Sequence, residues 1–170
     1  MRKLLLVACS LLVSVSVAMA QSKIDTKWHC SKPSGDQKID VGDVPDHSYW
    51  IGQGTCDAAS SDGDLKEKSG HYTEFHDVWK ASFTFHGYYN ATMDDGDKVY
   101  YKYDGTGSTD AAKPISNKWK VVNGTGKYKG IKGSGNCSGK LNADGSDDIT
   151  CTGTYSMGMA KMGKMDDMKK

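Results

Sequence analysis

The chain reads as an all-β domain, an antiparallel barrel of about eight strands stabilised by disulfides, and three observations lead there. Apolar residues never keep a 3.6-residue period past two turns, while Gly, Asp, Ser and Thr clusters punctuate the 170 residues throughout. Where apolar residues are dense they alternate: Phe83, Phe85, Tyr89, Ala91 and Met93 share one strand face, and Ser82, Thr84, His86, Asn90 and Thr92 the other. The third observation is a hairpin whose register follows from its turn. Asn142-Ala143-Asp144-Gly145-Ser146 suits a type I turn with Gly145 in the left-handed conformation, which pairs Asn142 with Ser146. Every further pair sums to 288, so Cys137 faces Cys151 and Gly133 faces Tyr155. At a non-hydrogen-bonded position the Cα atoms lie about 4.5 Å apart, within reach of a disulfide, and the register predicts the bond Cys137–Cys151.

Taken in order, Met1-Arg2-Lys3, an apolar run to Val17 and Ala18-Met19-Ala20 form the basic head, short core and small-residue cleavage pattern of a secretory signal peptide, residues 1–20. The run is shorter than the ~20 residues a spanning helix needs, so the mature chain is expected to carry no membrane span and to be secreted or periplasmic. Residues 21–157 are expected to form the barrel domain and residues 158–170 a flexible Met- and Lys-rich tail. Within the domain, residues 27–29, 39–41 and 48–52 read as short strands, 56–64 as a loop and 71–80 as a longer strand. The alternating strand 82–93 turns through Asp94-Asp95-Gly96-Asp97 into 98–103, where Val99, Tyr101 and Tyr103 share a face. Residues 104–114 read as a polar loop and 118–122 as a strand with Trp119 and Val121 inward. In the final hairpin the odd positions, from Ile131 to Leu141 and from Ile149 to Met157, face the core. Glycines at 133, 135 and 153 on that face signal bending or the close approach of a large side chain.

Removing Arg2 and Lys3 from the 22 basic residues leaves 20, all lysine, against 21 carboxylates, a net charge of −1. With no arginine and no basic excess, nucleic acid is excluded as a partner and arginine-based phosphate recognition is absent. Four of the five cysteines follow the leader. An even count in an exported chain implies two disulfides, which leaves Cys30–Cys56 beside the hairpin bond. The competing zinc site, these thiolates with His29, lacks the Cys-x-x-Cys spacing it requires.

Chemistry-bearing patterns are few. The Gly124-x-Gly126 and Gly133-x-Gly135 fragments miss phosphate-loop spacing and precede no helix. In the strand 71–80, Tyr72, Glu74, His76 and Val78 share one face, and Thr73, Phe75, Asp77 and Trp79 the other, so either orientation brings a titratable group toward the barrel interior. Glu74, His76 and Asp77 are the candidate acid–base residues, since a desolvated carboxylate beside an imidazole can move protons. Met157-Gly-Met159-Ala-Lys-Met162-Gly-Lys-Met165-Asp-Asp-Met168 spaces thioethers closely, and soft sulfur suits Cu(I). Met159, Met162, Met165 and Met168 are the candidate metal ligands; against copper stand a stripe packing on the barrel and, favoured by the two glycines and terminal lysines, a disordered end. Copper aside, no cofactor is expected.

The segment Trp119-Lys-Val-Val-Asn-Gly124-Thr125-Gly126-Lys-Tyr128-Lys-Gly130-Ile-Lys-Gly133 carries a Gly-Thr-Gly-x-aromatic-x-Gly-x-x-Gly pattern. It resembles the corresponding segment of the allene oxide cyclase and dirigent barrel superfamily and its bacterial secreted relatives, over roughly residues 119–155. The resemblance implies an eight-stranded antiparallel barrel with a central apolar cavity. In such a barrel Phe83, Phe85, Tyr101 and Trp119 are the candidate contacts for a small apolar ligand. Plant members steer cyclisation or coupling with carboxylates and, in dirigents, arginine. Here the mature chain has no arginine and only two glutamates, Glu67 and Glu74, so no catalytic residue transfers. The expected activity is binding of a small apolar molecule or service as a non-catalytic surface domain; an interior-carboxylate isomerase or cyclase and a periplasmic Cu(I) protein are the alternatives.

Overall fold

A computed structural model describes residues 21–110 and 112–158. The leader 1–20 and the methionines Met159, Met162, Met165 and Met168 lie outside the described residues. Nine strands follow one another: β1 Ser22–Cys30, β2 Ser34–Asp40, β3 His47–Ser61, β4 Glu67–Trp79, β5 Ser82–Met93, β6 Lys98–Ser108, β7 Ile115–Gly124, β8 Lys132–Leu141 and β9 Asp147–Ser156. From β3 to β9 each strand pairs antiparallel with the next, and β1 closes the barrel by pairing with both β9 and β3. The long β3 uses one edge twice: residues 48–53 pair with β2 and residues 56–61 with β1. β1 and β2 thus share one position in the wall, and nine strands make an eight-stranded closed barrel. Closure leaves no edge along the main wall.

The hairpin of β8 and β9 has the register its turn dictates: Gly139 opposes Ile149, Cys137 opposes Cys151 and Gly133 opposes Tyr155. Asn142 and Ser146 close the loop, with Gly145 at φ +86°. Both disulfides form as the cysteine arithmetic implies, Cys137–Cys151 within that hairpin and Cys30–Cys56 across the seam between β1 and β3. The alternation of β5 also holds, with Phe83, Phe85, Ala91 and Met93 buried and Ser82, Thr84, His86 and Asn90 exposed.

Strands β1, β2, β4 and β7 each begin three to five residues before their expected starts, and three further segments differ from the sequence reading. Residues 56–61, expected as loop, are the end of β3, because this polar stretch of Asp, Ala and Ser pairs with β1 on one side and partly with β4 on the other. Two-sided backbone pairing makes a strand there without an apolar pattern. β6 likewise continues through Gly105 and Gly107 to Ser108, where the inward faces of Phe85 and Phe83 lie over the two glycines. Finally, β9 stops at Ser156, and Met157 is 36% exposed rather than inward.

Inside, large rings lie across glycines of neighbouring strands. A Cβ at Gly135 or Gly153 would collide with the Trp119 indole, and one at Gly70 with the Tyr89 ring. Aromatic bulk on one strand over glycine on the next keeps the wall tightly curved. One end of the barrel is sealed by Ile24, Leu65, Met93, Val99, Tyr128 and Ile131, all within one buried cluster. The short 3-10 helix Gly126–Tyr128 places Tyr128 there. The resembling Gly-Thr-Gly segment is therefore a structural plug at the closed end.

Candidate ligand cavity

The other half of the interior is hollow. A cavity of about 300 Å³ runs along the barrel, and its wall includes loop residues Pro33, Thr109 and Gly145 at the end opposite the plug, which marks the mouth. All four predicted ligand contacts line it. Phe83 and Phe85 come from β5, Tyr101 from β6 and Trp119 from β7, each at an inward position. Tyr101 and Trp119 meet edge to face with centroids 5.5 Å apart, and Phe85 approaches Tyr103 at 6.0 Å. Both disulfides lie in the wall as well.

Polar groups enter this aromatic chamber in two places. Toward the plug, Glu67 is 5% exposed; Tyr101 donates its hydroxyl to Oε1 at 2.6 Å and Thr26 donates to Oε2 at 2.8 Å. Burial pushes the Glu67 carboxyl up, and these two hydrogen bonds oppose the rise. Nearer the mouth, Glu74 accepts a hydrogen bond from the Tyr103 hydroxyl at 3.0 Å, and its other oxygen lies 3.0 Å from His76 Nε2. The imidazole nitrogen is close enough for an ion pair yet not aligned for a hydrogen bond. Asp147, at the start of β9, completes the group. Burial, then repulsion from Glu74 and Asp148, pushes its carboxyl up to about 7, against the pull of His29.

The candidate acid–base residues therefore separate. Glu74 and His76 face the cavity together. Asp77 points outward from the same strand and lies 3.0 Å from Nε2 of His47, whose Nδ1 is 2.6 Å from Asp43 Oδ1. His47 also stacks on Trp79 at 3.7 Å. Asp77 thus belongs to a clamp that ties the loop before β3 to β4. Sequence reasoning missed Asp147 and the role of Glu67. Register could have found Asp147, since it shares the inward parity of Ile149 and Cys151. Glu67 had no such signal, because its strand was expected to begin at 71.

Every buried side-chain polar atom left without a hydrogen bond among the described residues, on His76, Tyr89, Asn117, Trp119 and Asp147, belongs to a residue of this cavity wall. Unpaired buried polar groups are uncommon and costly. Their collection in one hollow is the physical mark of a space that water or a ligand fills. No cluster of three or more His, Cys, Asp or Glu with metal-binding geometry occurs among the described residues.

No protein-family model matches the chain, and no curated protein does. Solved structures do. The pterocarpan synthase dirigent protein GePTS1 superposes with a TM-score of 0.52 at 10% identity, covering 89% of this chain and 98% of that one. A protein of unknown function from the DUF3224 family of Shewanella oneidensis MR-1 gives 0.46 at 16% identity, over 83% and 100% of the two chains. The dirigent protein PsPTS1 gives 0.46 at 10% identity, over 81% and 95%. At such identities the likeness is one of architecture, and the chain shares with the dirigent protein GePTS1 the fold of a closed antiparallel β-barrel.

Proposed function

We propose that this protein is an exported binding protein that holds a small, mainly apolar molecule inside its barrel. The observation that carries the reading is the cavity: about 300 Å³, walled by aromatic side chains and open at one end. Ligand sites are typically concave, apolar and fitted with a few placed polar groups, and a hollow of this size suits a one- or two-ring compound. Export is supported by the leader pattern of residues 1–20 and by two disulfides, which persist in oxidising compartments. The test is titration with the neutral fluorophore N-phenyl-1-naphthylamine. The reading expects saturable one-to-one binding that weakens in Ile149→Phe, which adds bulk to the cavity wall. Absence of saturation in the wild type would reject it.

One observation favours a second reading, an isomerase or cyclase. Glu74, His76 and the Tyr103 hydroxyl form a contact chain in the cavity, beside a carboxyl that titrates near neutrality. Such a set can take a proton at one atom of a substrate and return it at another. Its test is deuterium uptake at the carbon next to the carbonyl of 1-indanone in D₂O. Exchange that disappears in Glu74→Gln supports catalysis, and exchange equal to the buffer rate rejects it.

A further inference from the structure

Charge is distributed unevenly between the two faces of the barrel wall. Every lysine among the described residues is exposed, and none lines the cavity. The cavity wall instead carries three carboxyl groups, Glu67, Glu74 and Asp147, with the single imidazole of His76. Both glutamates of the chain are inside. Nine aromatic residues contribute to the same wall. Of its five unpartnered atoms, Asp147 Oδ1 and Asn117 Oδ1 are acceptors awaiting donors, the Trp119 N–H is a donor in a side chain only 5% exposed, and the Tyr89 hydroxyl and His76 Nε2 can each donate or accept.

Resting on the reading of this hollow as a ligand chamber, we infer that its ligand is an organic ammonium, an amine with a ring-sized apolar body and a protonated nitrogen. The ammonium group donates hydrogen bonds to Asp147 and Glu74, two carboxyls of the cavity wall. The aromatic walls enclose the body and attract the positive charge through their ring faces. The free Trp119 N–H accommodates one hydroxyl or ether oxygen on the body. Other ligand classes fit poorly: an anion meets three carboxyl groups and no lysine, while a pure hydrocarbon leaves Asp147 and Asn117 buried without donors. Entry of a cation also relieves the repulsion between Glu74 and Asp147.

The test compares three probes with one naphthalene body: 1-naphthylmethylammonium, 1-naphthylmethanol and 1-naphthoate, titrated calorimetrically at pH 8 into the full disulfide-bonded protein. The ammonium is expected to bind about tenfold or more tighter than the alcohol, and the carboxylate more weakly than both. Glu74→Gln and Asp147→Asn should each lower ammonium affinity about tenfold and shrink its preference over the alcohol. Circular dichroism and urea unfolding report that each variant is folded. Equal affinity for ammonium and alcohol, or no change in either variant, overturns the amine assignment and leaves the binding chamber standing. If none of the three binds while N-phenyl-1-naphthylamine does, the amine assignment fails and the chamber stands; if N-phenyl-1-naphthylamine does not saturate, the chamber reading fails and the amine inference with it.

Discussion

Replacing Asp147 with asparagine should stabilise the protein near neutral pH and have no such effect in acid. The side chain sits in the cavity wall with Oδ1 unpartnered, and burial followed by Glu74 and Asp148 moves its pKa from 3.8 to about 7. The groups facing it are Glu74 from β4, His29 from β1, its neighbour Asp148, and the phenols Tyr72 and Tyr103. Because the folded pKa lies above the unfolded one, the native state holds a proton that the unfolded chain has released between about pH 4 and pH 7. Stability from this group is then fullest below about pH 4 and falls as pH rises through about 7. At 1.36 kcal/mol per pH unit, the gap between 3.8 and about 7 bounds the penalty at ~4 kcal/mol, and water entering by the mouth reduces it to about 1–3 kcal/mol. Urea unfolding of wild type and Asp147→Asn, disulfides intact, at pH 4, 6, 7 and 8 measures the difference. Comparing the two proteins removes the surface carboxylates Asp43, Asp95, Asp144 and Asp148, whose lowered pKa values confine their own losses to more acid pH. A difference near zero at pH 4 that grows to about 1–3 kcal/mol at pH 8 is expected. A variant no more stable than wild type at pH 8, or a difference independent of pH, would show that Asp147 ionises in the folded protein without penalty.

Other perturbations address the plug, the wall and the cross-links. Tyr101→Phe removes a 2.6 Å donor from buried Glu67 and should cost about 1.5–3 kcal/mol in urea unfolding; a smaller loss would mean that water already serves that oxygen. Gly153→Ala drives a methyl group into the Trp119 indole and the Ser134 backbone carbonyl, so it should cost about 1–3 kcal/mol and shift the NMR resonance of the Trp119 indole N–H; an unchanged resonance and stability would show that no collision occurs. The pair Cys137→Ser with Cys151→Ser opens a cross-link of sequence separation 14 and should lose about 3 kcal/mol while circular dichroism still shows β-structure. For the methionine segment, the thioether reading expects Cu(I) binding that vanishes on deletion of residues 158–170 and no matching Zn(II) site; equal Cu(I) affinity before and after deletion would reject it.

Local chemistry made the hairpin and β5 legible. The Asn142 to Ser146 turn sets a parity, and parity alone places Cys137 against Cys151 and turns Ile149 inward. Long-range pairing was not legible. Nothing in Asp57-Ala-Ala-Ser-Ser61 marks a strand, because its order comes from β1, whose paired residues lie 28 to 35 positions earlier in the chain. The aromatic contacts of the cavity followed from alternation, but its polar floor did not. Glu67 is ordinary in sequence and becomes a buried acceptor only when β6 brings Tyr101 and β1 brings Thr26 to its two oxygens. Asp77 illustrates the converse: it sits one residue from His76, yet strand alternation sends it through the wall to His47 on the outside.

Whether a ligand enters the barrel interior is visible in a crystal structure of the protein grown with 1-naphthylmethylammonium. A ligand chamber gives density for the naphthalene rings among Phe85, Tyr101 and Trp119, with the nitrogen within hydrogen-bonding distance of Asp147 or Glu74. An interior closed by repacked side chains, or one occupied only by water while the probe lies on the outer surface, would contradict it.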